Sequence, residues 1–63
     1  MKKLTEKIKY KMVDGHAELY ARRKGEMSFS LLGTCHASCI DVIQRNGDAG
    51  LKEVIDNGCI RFA

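Results

Sequence analysis

Three thiols and two imidazoles are the groups in this sequence best suited to covalent chemistry: Cys35, Cys39, Cys59, His16 and His36. Cys35 stands where the pattern opens a helix. There the unpaired amides and the helix dipole favour a thiolate. With His16 as base and those amides as an oxyanion hole, Cys35 could serve as the nucleophile of a small hydrolase. The competing account is that Cys35 and Cys39, one turn apart, are small apolar residues on the buried face of that helix, the usual fate of such cysteines. That account is preferred, so no catalytic residue is assigned. A zinc site drawn from Cys35, His36, Cys39 and Cys59 lacks the paired C-x₂-C knuckles of structural sites. Neither a metal nor a cofactor is expected.

The second kind of chemistry is non-covalent. Lys7, Lys9 and Lys11 recur at every other position, and Tyr20 and Arg22 share a later segment with the same alternation. Cations flanking an aromatic on an open sheet can hold phosphates and stack a base. The plainer account is a solvated face whose lysines guard strand edges, and a single aromatic is a thin platform. Lys7, Lys9, Lys11, Tyr20 and Arg22 are nevertheless the candidate binding residues.

Those positions matter only if the elements align them. Ile8, Tyr10 and Met12 alternate with the lysines, and Asp14-Gly15 follows, a pair suited to the positive φ angles of a type I′ hairpin turn. This turn sets Lys11 opposite Glu18, Tyr10 opposite Leu19 and Ile8 opposite Ala21. A three-residue loop, Arg23-Lys24-Gly25, then predicts a second hairpin with Ala21 opposite Met27, Leu19 opposite Phe29 and Ala17 opposite Leu31. The expected strands are 6–13, 16–22 and 26–32. Gly33 ends the sheet in this reading, and Thr34 caps a helix over 35–45 whose apolar arc includes Cys35, Cys39, Ile40 and Ile43. Asn46-Gly47 stops that helix, and a shorter one carries Leu51, Val54 and Ile55. After Asn57-Gly58, a short strand holds Ile60 and Phe62. The predicted class is α+β, a three-stranded antiparallel meander covered on one face by one longer and one short helix with a short C-terminal strand, in the order β-β-β-α-α-β.

The run Asp14-Gly15-His16-Ala17, then Tyr20-Ala21, Lys24-Gly25 and a cysteine opening a helix, resembles the ribosomal-processing cysteine proteases. The resemblance implies His16 as base and Cys35 as nucleophile. It is confined to the stretch from Asp14 to Cys35. It departs from the family in the longer spacing between those two residues, in the strands that replace a mobile loop, and in lacking a second layer after the first helix.

Composition narrows the classes. The chain has 63 residues, room for a single small domain with little stability to spare. Its 44% hydrophobic content is too high for a disordered chain. The longest uncharged stretch, Met27 to Ile40, spans 14 residues and is too short and polar to cross a bilayer. Three cysteines, an odd number, fit a reducing compartment, and a cytoplasmic location is expected. Charge is lopsided. Residues 1–24 hold eight Lys/Arg against three Asp/Glu, a balance of +5, whereas residues 25–63 hold three against five, a balance of −2. The expectation is a small non-enzymatic interaction module, beginning at Met1 as a free-standing product. It would bind a larger macromolecule stoichiometrically as a regulator or inhibitor, as in phage–host conflict. A protein partner comes first, nucleic acid second, the cysteine hydrolase third. No membrane association is expected. So small a core also predicts a homodimer.

Overall fold

The structure, a computed structural model, describes residues 1–63. Five antiparallel strands form one open sheet in sequence order: β1 (Lys2–Lys3), β2 (Ile8–Val13), β3 (His16–Ala21), β4 (Ser30–His36) and β5 (Ile60–Phe62). Two helices, α1 (Ala37–Asn46) and α2 (Asp48–Asp56), lie between β4 and β5 in the chain. The class is α+β, as expected. The sheet has two strands more than the meander, counting β5 and the unanticipated β1, whose two lysines carry no alternating signal.

The first hairpin follows its turn. Asp14 (φ 49°) and Gly15 (φ 85°) both take positive φ, the geometry that matches the twist of the flanking strands. The register is Val13 to His16, Lys11 to Glu18, Tyr10 to Leu19 and Ile8 to Ala21, so Ile8, Tyr10, Ala17 and Leu19 are all buried on one face.

The second hairpin differs from expectation. The third strand runs over 30–36 instead of 26–32, and a longer connection replaces the three-residue loop. Gly25 (φ 85°) and a bond from the Glu26 amide to the Arg23 carbonyl (3.0 Å) make a local turn there, but the ladder does not resume beside it. Ala17 pairs with Cys35 and Leu19 with Gly33; after a bulge, Tyr20 pairs with Leu31 and Ala21 with Ser30. The physical reason lies on the far side of β4. There β5 pairs Gly33 with Phe62, Thr34 with Arg61 and Cys35 with Ile60. A Cβ at Gly33 would sit 2.9 Å from Phe62 Cα and closer still to the Arg61 carbonyl oxygen. Gly33 is therefore an interior strand residue at a close backbone approach, not the end of the sheet. Extending β4 to His36 also moves the helix start to Ala37, so Cys35 is a strand residue and Thr34 is not the cap.

His36 caps α1: its Nδ1 accepts a hydrogen bond from the Ser38 amide (3.1 Å). Gly47 (φ 60°) closes α1, its amide bonding the Ile43 carbonyl at 2.7 Å. The helices cross closely at Gly50, where a Cβ would lie 2.5 Å from the Val42 carbonyl oxygen; this glycine is a packing contact and not mere punctuation. Ile40, Ile43 and Val54 from the helices join the sheet residues in one core, with Leu19 and Ile43 fully enclosed. The buried Tyr10 keeps its hydroxyl satisfied by Gln44 Nε2 (3.1 Å). No helix is long and apolar enough to cross a membrane.

Candidate functional site

Because both helices pack on the face bearing Leu19, the opposite face of the sheet is open. Paired residues in an antiparallel ladder share a face, so the register maps this surface in rows. One row is Lys3, Lys9, Tyr20 and Leu31; the next is Lys11, Glu18, Thr34 and Arg61; the last is Val13, His16 and His36. Lys9, Lys11 and Tyr20 thus lie together, as the alternation predicted. Lys7 and Arg22 meet at the end of the face, where both line a groove of about 660 Å³ with Arg23, Lys24, Met27 and Phe29. Glu6 and Glu26 also line it.

Phe29 changes the chemistry of this face. The expected register turned it toward Leu19. The shift of β4 places it among the outer cations, with Lys9 Nζ 4.7 Å and Arg22 Cζ 5.7 Å from its ring centroid. Both distances fall within cation–π range. With Tyr20 and the exposed Leu31, the open face carries three adjoining apolar groups among cations.

Glu18 is the single carboxylate in the paired rows, and it is already engaged. It accepts a hydrogen bond from the Tyr20 hydroxyl at Oε1 (3.0 Å) and lies 4.0 Å from Lys11 Nζ. The carboxylate acceptor, then desolvation, pushes the Tyr20 phenol above the usual tyrosine range. Lys11 is half-exposed in this pair and the 4.0 Å separation is long, so the contact contributes little to stability.

The thiols occupy the other side. Cys35 pairs with Ala17 and points into the core, whereas His16 pairs with His36 on the open face. The structure does not bring His16 and Cys35 together. Burial, then the neighbouring Cys39 and Cys59, pushes the Cys35 thiol up to about 11. Cys39 in the first turn of α1 is likewise raised, by burial first and then by Cys59. Both are protonated, weakly nucleophilic groups at neutral pH. Cys59 is exposed.

Sequence reasoning missed Phe29, Leu31, Lys3 and Arg61. The first two were assigned inward by the register; the Leu32 bulge that turns them outward leaves no mark in hydropathy. For Arg61, the partner edge of the last strand could not be read. Comparison with protein-family models, with curated proteins and with solved structures finds no match in any of the three.

Proposed function

We propose that this protein is a non-enzymatic binding module that engages an anionic macromolecule stoichiometrically through the outer face of its sheet. The observation that carries this reading is the placement of Lys9 and Arg22 over Phe29, on a face that also bears Lys3, Lys11 and Arg61 and that neither helix covers. Aligned cations sum their fields and steer acidic partners. The basic N-terminal balance seen in the sequence belongs largely to this surface.

The body measures 29 × 26 × 19 Å, too thin to enclose a substrate, and its buried thiols and surface imidazoles stand on opposite faces. Both features favour surface recognition over turnover, consistent with a regulator or inhibitor. The test is retention on heparin for wild type and for the double variant Lys9→Glu, Arg22→Glu. The variant is expected to elute at markedly lower salt. Equal elution of the two proteins would show that this face is only a solvated surface.

A further inference from the structure

We infer that the anionic ligand of the open face is single-stranded nucleic acid, with one base stacked at Phe29 and its flanking phosphates held by Lys9, Lys7 and Arg22. This rests on the binding-face reading above and names its ligand class.

An acidic protein segment is held by the cations and gains from the aromatic ring only where it carries an apolar side chain beside its carboxylates. A duplex offers phosphates but keeps its base faces stacked inside. Only an unpaired strand presents charged phosphates and flat π-surfaces together, one of each per nucleotide. The outer face matches that pairing. Phe29 lies beside Lys9 and Arg22. Two positions before Arg22, which follows the end of β3, Tyr20 has Lys9 and Leu31 as cross-strand neighbours. The half-buried Tyr20 and Phe29 thus form two stations of one platform, and Lys9 is common to both.

The charge arrangement fits the same ligand. Lysine has a flexible stem and three rotatable donors, so the Lys9 ammonium can yield the ring to a base and take the adjoining phosphate. Arg22 can stack by its guanidinium plane or grip a phosphate with two donors. Lys7 borders the same groove. The carboxylate nearest the middle of the platform, Glu18, is held by the Tyr20 hydroxyl and faces Lys11, which reduces its repulsion of a phosphate. Glu6 and Glu26 line the same groove, but its four cations, Lys7, Arg22, Arg23 and Lys24, outnumber them and leave it basic.

The experiment is fluorescence anisotropy with labelled single-stranded DNA and RNA of about 10 nucleotides, inside the range of such sites, beside heparin and polyglutamate as competitors. The proteins are wild type, Phe29→Ala, Phe29→Leu and Phe29→Tyr, each checked for native circular dichroism. Phe29 is outside the buried core, and Phe29→Leu keeps its apolar bulk. Both Phe29→Ala and Phe29→Leu are expected to weaken oligonucleotide binding about tenfold while leaving heparin binding unchanged, and Phe29→Tyr to restore it. The affinity should fall with salt at a log–log slope of about −2, for three phosphate contacts at roughly −0.7 each. If heparin or polyglutamate binds through Lys9 and Arg22 but the oligonucleotide gains nothing from Phe29, the nucleic-acid inference is overturned and the anionic binding face survives. If no polyanion binds, both fall.

Discussion

Gly33 and Phe62 are cross-strand partners held so close that a Cβ on Gly33 would stand 2.9 Å from Phe62 Cα. The glycine is what allows β5 to join the sheet, and β5 in turn supplies the buried Ile60 and the outer-face Arg61. Gly33→Ala is expected to destabilise the protein by about 1–3 kcal/mol, the cost of forced repacking, and to expose the amides of β5. Denaturant titration with hydrogen exchange at Arg61 and Ala63, whose amides face β4, checks it. Unchanged stability with β5 still protected would contradict the close approach.

The start of α1 gives the second prediction. His36 Nδ1 accepts from the Ser38 amide, a role the sequence pattern assigned to Thr34. Replacing His36 by Ala should cost about 1 kcal/mol, and His36→Asp should recover most of it. Thr34→Ala should leave the helix unaffected. A larger loss from Thr34→Ala than from His36→Ala in thermal unfolding would place the helix start at 35, as first expected.

These two residues show what could be read from the chain and what could not. The Asp14-Gly15 turn dictates its own register, because positive φ at both positions leaves one short hairpin geometry; Lys11 opposite Glu18 followed from that alone. Lys24-Gly25 carries a similar local signal and does form a turn. Yet the pairing of β4 is decided by β5, which lies more than twenty residues further along. Local turn chemistry cannot contain a contact with a strand whose partner is unknown. The same displacement moved Cys35 from helix to strand and Phe29 from core to surface, so the basic half of the site was legible and its second aromatic was not.

The thiols provide a pH prediction. Cys35 loses its proton near 9 when unfolded and at about 11 in the fold. Between these values the unfolded chain binds fewer protons, so stability falls as pH rises. It is fully present below about 9 and the contribution is lost through about 11. Melting temperatures measured over this window should drop, and Cys35→Ser should flatten part of the fall. In native protein at neutral pH, Cys59 should label with a thiol reagent well before Cys35 or Cys39. Rapid labelling of Cys35 would revive it as a nucleophile.

A homodimer is the expected assembly. Phe62 is 53% exposed and Ile55 39% exposed, and β5 has a free edge, the kind of apolar surface and unpaired backbone that a second copy can cover in a two-fold contact. Light scattering should give twice the monomer mass at micromolar concentration, and Phe62→Lys should shift it to the monomer. A wild-type monomer at high concentration would refute this.

Glu18 ties the electrostatics of the open face to its proposed ligand. Its carboxylate accepts a hydrogen bond from the Tyr20 hydroxyl, and deprotonating the phenol would break that bond and set two negative charges together. The phenol is raised for that reason. Glu18→Gln removes the charge while leaving an amide oxygen to accept, so the ionisation of Tyr20 should move back toward the usual range. A pH titration of the Tyr20 ring resonance by NMR would show it. The same variant removes the only carboxylate from the paired rows and leaves Lys11 without its partner. Polyanion affinity should therefore rise, by a few-fold at low salt, with the gain shrinking as salt screens an exposed site. Two opposing results are informative. A Tyr20 titration unmoved by Glu18→Gln would mean that the negative charge of the carboxylate is not what raises it. Weaker polyanion binding in that variant, with the fold intact, would mean that the ligand donates hydrogen bonds to Glu18, and the outer face would then have to be matched to a different kind of partner.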